Sequence, residues 1–140
     1  MKAYVIDASV AAAAFFQETH AASAQALLAE DRPLYAPDLI SAEFANVVWK
    51  RHKLGEITGD QAVQLLADFL RLPIEITPSG ELAETALQLA INTGRTMYDC
   101  LYLALSVRTN AVLVTCDKRL VNALARTPLA KHVTGIEQRR

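Results

Sequence analysis

The stretch Ala111-Val112-Leu113-Val114-Thr115 gives the clearest strand signal in the chain and is followed by Cys116-Asp117. A short, continuous run of apolar and β-branched residues is typical of a strand that is buried on both faces. The run Ala3-Tyr4-Val5-Ile6 has the same character and leads directly into Asp7. In open α/β sheets, ligands bind beyond the carboxyl ends of the strands, which is where these two aspartates are expected.

Helical patterns separate these runs from further strand candidates at residues 34–36 and 73–77, and from a candidate edge strand that begins at Val133. The helical segments are residues 9–16, 19–30, 37–54, 60–70, 79–94, 97–108 and 118–126. Strands that alternate with helices predict an α/β fold with three layers (α/β/α) around a mostly parallel central sheet.

Three of these helices carry a recognisable start signal. Pro37 suits the first turn of a helix, where a backbone donor is not needed. Thr58 with Gln61, and Thr96 with Asp99, have the spacing of a capping box. The sequence therefore predicts helix starts at or beside these positions.

The composition limits the class of protein. The chain has 140 residues, 52% hydrophobic and 21% charged, which predicts one folded domain over residues 1–140 and excludes intrinsic disorder. Charges interrupt every apolar run well short of a membrane span, and we expect no signal peptide. A net charge of −1 argues against a broad electrostatic nucleic-acid binder, although a local basic rim stays open. We expect the cytoplasm as the location, because no secretion signal is recognised.

Four acids stand out, and each has a structural alternative. Asp7 and Asp117 follow strands, where an aspartate is also a common turn or N-cap residue. Glu43 lies four residues from apolar neighbours on both sides, so helical spacing directs its carboxylate inward, toward an arginine, backbone donors or a metal ion. Asp99 is either a capping residue or a buried acid, because apolar residues surround it.

Together these four carboxylates are expected at the carboxyl edge of the sheet or on inward-facing helix positions. Closely packed carboxylates repel one another and raise one another's pKa values, and a divalent cation removes that repulsion. Oxygen-only ligands favour Mg²⁺ or Mn²⁺ over zinc. The sequence has no Gly-rich phosphate loop, which excludes nucleotide hydrolysis of the P-loop type, and no G-x-S-x-G sequence.

Four segments in order carry these acids. They are Val5-Ile6-Asp7-Ala8-Ser9-Val10, Pro37-Asp38-Leu39 through Glu43 to Asn46, Tyr98-Asp99-Cys100-Leu101-Tyr102-Leu103-Ala104, and Leu113-Val114-Thr115-Cys116-Asp117. With these segments the chain resembles, over nearly its whole length, the PIN-domain family and within it the VapC-type toxins of toxin–antitoxin pairs. It departs from the family at Cys100 and Cys116, where alanine is common, so that a thiol stands beside each of two site residues.

The resemblance implies a metal-dependent endoribonuclease in which Asp7 and Asp99 are direct ligands of Mg²⁺ or Mn²⁺. Asp117 is expected to complete the site, directly or through water, and Glu43 to hold a metal-bound water or orient the nucleophile. Ser9 and Thr115 are candidates to hydrogen-bond the carboxylates, with helix capping as the alternative for Ser9.

The expected partners are RNA, a second copy of the chain and an antitoxin. Arg95, Lys118 and Arg119 lie beside the expected site and are candidates for phosphate contacts. The resemblance implies a homodimer and a cognate VapB-like antitoxin, whose arginine would replace the charge of the cation. Two alternatives stay open: a catalytically inactive PIN-like module that binds RNA or a partner, and an aspartyl-nucleophile phosphatase, which is less favoured because no second Asp stands two residues after Asp7.

Overall fold

A five-stranded sheet forms the centre of the molecule in the computed structural model, which describes residues 2–139. Its strands are β1 (Tyr4–Ile6), β2 (Leu34–Pro37), β3 (Ile74–Thr77), β4 (Val112–Thr115) and β5 (Val133–Gly135). They are arranged in the order β3-β2-β1-β4-β5, and all four neighbouring pairs are parallel. The prediction of an α/β fold with a parallel central sheet is therefore confirmed.

Seven α-helices are found in the described part of the chain. They are α1 (Ala8–Phe15), α2 (Ala21–Ala29), α3 (Leu39–Lys53), α4 (Gly59–Leu70), α5 (Ser79–Thr93), α6 (Met97–Thr109) and α7 (Lys118–Leu124). A short 3-10 helix, Pro128–His132, precedes β5 and was not expected from the sequence. Right-handed crossovers place the helices before β3 on one face of the sheet and those after β3 on the other, because the strand order reverses direction between these two halves.

The sheet interior is apolar on both faces at its centre. Val5, Ile6, Leu113 and Val114 are fully buried, as their continuous apolar runs predicted. β1 pairs with β4 from Tyr4 opposite Val112 to Ile6 opposite Val114. Because the chain leaves β1 toward β2 but returns to β4 on the other side, the two strands border the switch point of the topology.

One of the three predicted helix starts needs correction, and another is confirmed with only part of its predicted capping box. Pro37 is the last residue of β2, paired with Thr77, and does not lie in a helix. Since its ring removes a backbone donor, proline is tolerated at such a strand end. Thr58 and Gln61 form the complete capping box. At Thr96 only half of the box forms: the Thr96 side chain accepts from the backbone N–H of Asp99, but the Asp99 carboxylate turns elsewhere.

Among residues 2–139, no helix combines the length and apolar character needed to cross a lipid bilayer. The longest helices, α3 and α5, have 15 residues each, whereas a span needs about 20.

Candidate active site

A cleft of about 160 Å³ opens beyond the carboxyl ends of β1 and β4, at the switch point of the sheet. All four predicted acids line it, although they come from four separate segments of the chain. Its polar lining consists of Asp7, Ser9, Glu43, Asp99, Tyr102 and Asp117. The four acids that the sequence predicts at one edge of the sheet therefore lie together in this cleft.

Asp7 is fixed at the junction of β1 and α1. As the N-cap of α1, its Oδ1 accepts hydrogen bonds from the backbone N–H groups of Ser9 at 3.0 Å and Val10 at 3.2 Å, and from the Ser9 hydroxyl at 2.5 Å. Burial raises the pKa of Asp7 above its usual range, against the lowering effect of these donors. The fold thus holds one rigid, poorly solvated carboxylate at the floor of the cleft.

Ser9 and Thr115 lock this carboxylate to the neighbouring strand. The Ser9 hydroxyl oxygen accepts a hydrogen bond from the backbone N–H of Cys116 at 3.0 Å, just beyond the end of β4. The side chain of Thr115, which is fully buried, also hydrogen-bonds the Asp7 carboxylate. Ser9 therefore acts on the carboxylate and on the sheet edge at once, which goes beyond simple capping.

Asp117 caps α7, as the structural alternative proposed. Its Oδ1 accepts hydrogen bonds from the backbone N–H groups of Arg119 at 2.9 Å and Leu120 at 3.4 Å. The backbone N–H of Asp117 donates to Thr115 Oγ1 at 3.0 Å. Both cap bonds use the same oxygen, which leaves Oδ2 for the cleft. The capping and site interpretations of Asp117 are therefore compatible.

Glu43 reaches the cleft from α3 on the opposite side. Its Oε1 accepts a hydrogen bond of 2.5 Å from the hydroxyl of Tyr102 on α6. Burial raises the pKa of Glu43, and the negative charges of Asp7 and Asp99 raise it further, against the lowering effect of Tyr102. Since the charges of the other acids act on Glu43, the carboxylates of the cleft are close enough to repel one another.

Asp99 differs from the other three acids because it has a cation beside it. Arg95, in the loop just before α6, places Nη2 at 3.4 Å from Asp99 Oδ2, and both side chains are about three-tenths exposed. Among residues 2–139, no lysine, arginine or histidine forms an ion pair with Asp7, Glu43 or Asp117. The cleft is therefore lined by four acids, of which Asp99 has a counter-ion from the same chain.

As the side chains stand, no group of three or more His, Cys, Asp or Glu residues within the range 2–139 is arranged to hold a metal ion. In the structure Asp99 pairs with Arg95, Glu43 accepts a hydrogen bond from Tyr102, and Asp117 caps α7.

Comparison with known proteins identifies the family of this chain. The family model of the PIN domain matches residues 4–125. The chain belongs to the PIN-domain family.

Relatives of this PIN domain are found in bacteria and archaea. It is 34% identical over 119 residues to Ribonuclease VapC9 of Mycobacterium tuberculosis, a match covering 83% of this chain and 87% of VapC9. It is 30% identical over 118 residues to Ribonuclease VapC3 of Pyrobaculum aerophilum, covering 83% and 90% of the two chains.

Solved structures share the fold of this PIN domain. The crystal structure of PAE2754 from Pyrobaculum aerophilum has a TM-score of 0.72 and 26% identity, and the match covers 97% of this chain and 85% of that one. A chain of a toxin-antitoxin complex from Klebsiella pneumoniae has a TM-score of 0.62 and 17% identity, with 95% and 97% covered. At such low identity the second match speaks for the fold alone.

The three basic residues predicted to contact RNA lie at different places around the cleft of this PIN domain. Arg95 does not line the cleft but pairs with Asp99, which does. Lys118 and Arg119 are exposed at the start of α7, next to Asp117. Lys118 lines a small neighbouring pocket that also contains Thr115 and Cys116. The structure thus brings Arg95 into contact with one site acid and leaves Lys118 and Arg119 exposed beside another.

The two thiols of this PIN domain are free. Cys100 is buried, and Cys116 is partly exposed beside Ser9. Burial raises the pKa of both thiols, that of Cys116 to about 11, so little thiolate exists at neutral pH. Because the thiolate is the reactive form of cysteine, burial lowers the reactivity of both thiols.

Sequence reasoning missed two features of the site. Tyr102 had been assigned only to the apolar surroundings of Asp99, and the pairing of Arg95 with Asp99 was not foreseen. One weak signal existed for Arg95, a cation four positions before Asp99 in the sequence. In addition, a buried tyrosine hydroxyl needs a hydrogen-bond partner, and a carboxylate is a good one.

Proposed function

We propose that this protein is a divalent-metal-dependent endoribonuclease that hydrolyses RNA phosphodiester bonds and acts as the toxin of a toxin–antitoxin pair. The observation that carries the proposal is the convergence of Asp7, Glu43, Asp99 and Asp117 on one cleft at the switch point of the sheet. Membership of the PIN-domain family supports it, as do the names of its relatives VapC9 and VapC3, both ribonucleases.

The proposed ion is Mg²⁺ or Mn²⁺, because the donor set consists of carboxylate oxygens. Asp7 and Glu43 support the fit: burial raises the pKa of each, and neither has a cationic partner among the described residues. Carboxylates in this condition gain most from a bound divalent cation. When bound, the ion would lower the pKa of a water nucleophile and offset the charge that develops on the phosphate.

The acids are proposed to divide the work according to how they are held. Asp7 and Asp99 would hold the cation, Asp7 from its rigid position at the end of β1 and Asp99 after leaving Arg95. Asp117 would complete the site with the oxygen that its cap does not use. Glu43 would orient the attacking water, since its Oε1 is fixed by Tyr102 and its other oxygen is left for the cleft.

RNA is proposed to bind through a local basic rim and not through a broad positive field, because the net charge of the chain is −1. Lys118 and Arg119 are exposed beside Asp117 and are proposed to contact phosphates. Arg95, once released from Asp99, is proposed to do the same beside the cleft. Ser9 and Thr115 are proposed to keep the orientation of Asp7.

The proposed assembly is a homodimer with a VapB-like antitoxin, located in the cytoplasm. The same fold occurs in the Klebsiella pneumoniae toxin-antitoxin complex, and the proposal extends that kind of partner to this chain. An antitoxin arginine inserted among the carboxylates would inhibit by replacing the charge of the cation. Residues 1–140 are proposed to work together as one nuclease domain.

One observation favours the alternative of a catalytically inactive binding module. Arg95 already neutralises Asp99 within the same chain, so part of the demand for a cation is met internally. The two functions differ in a direct way, because only the nuclease is stimulated by added metal.

The test uses the purified protein with total RNA from the expression host, with Mg²⁺ or Mn²⁺ present or removed by EDTA. We expect metal-stimulated cleavage by the wild type, and a loss of about 100-fold or more in Asp99→Asn, because charge is lost at nearly constant shape. The matched control is Asp60→Asn, an exposed aspartate that lies outside the cleft, which should cleave normally. An Asp99→Asn variant with wild-type activity, or a wild type that binds RNA but never cleaves it, would contradict the proposal.

A further inference from the structure

The hydroxyl of Tyr102 is where three segments of the cleft meet. It belongs to α6, it donates to Glu43 Oε1 on α3 at 2.5 Å, and the backbone N–H of Ala8 at the start of α1 hydrogen-bonds the same phenolic oxygen. The side chain of Tyr102 is only 4% exposed. The hydroxyl therefore has both a donor role and an acceptor role filled, away from bulk water.

The bond to Glu43 crosses the cleft between helices on opposite faces of the sheet. Glu43 is the only one of the four acids on α3, and its carboxylate is partly buried. A flexible glutamate side chain in such a place has several staggered rotamers open to it. A short hydrogen bond from a buried donor selects one of them, because leaving that rotamer leaves the buried Tyr102 hydroxyl without its carboxylate acceptor.

We propose that Tyr102 is a positioning residue: it holds Oε1 of Glu43 so that the other carboxylate oxygen faces the cleft. Tyr102 itself touches neither the substrate nor the cation in this assignment. This inference rests on the proposed nuclease function, because Glu43 has no water to orient in a protein that does not hydrolyse a bond.

The alternative is that Tyr102 only ties helices together. In that case its removal would lower stability and lower activity by the same factor whether or not Glu43 is intact. A positioning residue behaves differently, since it acts through Glu43 and has nothing left to position once the Glu43 carboxylate is gone. The two roles are therefore separated by a double-mutant cycle.

The experiment compares wild type, Tyr102→Phe, Glu43→Gln and the double variant, on an RNA that the wild type cleaves in the presence of Mn²⁺. We expect Tyr102→Phe to lower kcat by about 10-fold to 100-fold with KM unchanged, as for the loss of a hydrogen bond that orients a catalytic group. In the Glu43→Gln background the same substitution should lower kcat by less than about twofold, because the residues act as a unit.

A matched control and a measurement without RNA complete the test. Tyr98→Phe, an exposed tyrosine on the same helix, should leave Mn²⁺ affinity unchanged. Calorimetric Mn²⁺ titration of Tyr102→Phe should give an affinity within about threefold of wild type, because the proposed ion ligands Asp7 and Asp99 are untouched. A large loss of Mn²⁺ binding would instead mean that the cleft has collapsed, and would overturn the assignment.

The outcomes are distinct. Equal losses of kcat in both backgrounds, or a wild-type kcat in Tyr102→Phe, would overturn the positioning role and leave the nuclease function standing. A wild type with no metal-stimulated cleavage would overturn both. Should Tyr102→Phe fail to fold, Glu43→Asp is the second variant, because its shorter side chain withdraws the carboxylate from the Tyr102 hydroxyl. Its kcat is expected to fall as far as that of Glu43→Gln. A Glu43→Asp variant with wild-type kcat would overturn the positioning role.

Discussion

Asp7 and Asp99 face the same cleft but are held in opposite ways. Asp7 is held by neutral donors alone, the N–H groups of α1 and the hydroxyls of Ser9 and Thr115. Asp99 has a cation of its own chain, Arg95, at 3.4 Å. The fold therefore fixes the position of the Asp7 carboxylate without neutralising its charge. It neutralises the charge of the Asp99 carboxylate without fixing its position.

This difference follows from where each residue stands. Asp7 sits at the end of a central strand, where the N-terminus of α1 supplies N–H donors in fixed positions but little solvent. Asp99 sits in the first turn of α6, about three-tenths exposed, where the long side chain of Arg95 reaches it. We therefore expect the two sides of the cleft to respond differently to mutation, pH and metal.

The largest effect is expected from removing the unbalanced charge. Asp7→Asn keeps an oxygen to accept the N–H bonds of α1, so the fold should survive, while cleavage should fall by about 1000-fold or more because several kcal/mol of charge stabilisation are lost. In EDTA the variant should melt at the wild-type temperature or a few degrees above it, since a buried charge has been removed. Single-turnover cleavage and calorimetry check the two parts, and a fall in Tm on this substitution would show that the charge of Asp7 stabilises the fold.

The pH dependence of the wild type sharpens the same point. Folding raises the pKa of Asp7, so its favourable contribution to stability is fully present below the unfolded pKa of 3.8 and is lost as the pH rises through the folded pKa. Without metal, the stability contribution of Asp7 should therefore grow as the pH falls. Stabilisation by Mn²⁺ should weaken over the same interval, because protons compete for the ligands. Asp7→Asn should lack the contribution of Asp7 to the pH dependence of stability and to the pH dependence of stabilisation by Mn²⁺.

A smaller effect is expected at Asp99, whose charge is balanced by Arg95. Arg95→Met removes the internal counter-ion, so Mn²⁺ should bind more tightly, by about 3-fold to 10-fold given the modest strength of a partly exposed ion pair. The KM for RNA should rise in the same variant if Arg95 contacts phosphates after Asp99 releases it. Arg95→Lys retains a positive charge and serves as the control. Weaker Mn²⁺ binding by Arg95→Met in calorimetric titration would mean that Arg95 orders the site and does not compete for it.

The extent to which the sequence predicted this site depends on which force positions each residue. Asp7 and Asp117 were predictable because a buried strand ends beside each, and the edge of a parallel sheet gathers such ends. Glu43 was predictable from helical spacing alone. These are backbone-level constraints, which local patterns record well.

The features that the sequence did not reveal depend on contacts between distant segments. Tyr102 meets Glu43 across 59 positions of sequence, and no local pattern distinguishes a tyrosine that fills the core from one whose hydroxyl reaches a carboxylate. Pro37 was misplaced for a related reason: a proline before a helix and a proline at a strand end share the same local pattern, and only the pairing with Thr77 separates them.

The smallest effect concerns Asp117, whose two roles use different oxygens. Its Oδ1 caps α7, and the other oxygen is available to the cleft. Asp117→Asn preserves the cap, because asparagine caps helices as well as aspartate, whereas Asp117→Ala removes it and should lower the Tm by about 3 °C. Both variants lose the negative charge and should lose similar amounts of metal-stimulated cleavage. The loss should be smaller than for Asp7→Asn, because Asp117 only completes the site.

The pair of variants separates stability from chemistry at one position, since Tm should follow the cap and activity should follow the charge. If Asp117→Asn instead cleaves RNA as fast as the wild type while Asp117→Ala is slow, Asp117 serves the site only by capping α7. The functional carboxylates of the cleft would then be Asp7, Glu43 and Asp99 alone, and Asp7 would be the only one of them at the end of a strand.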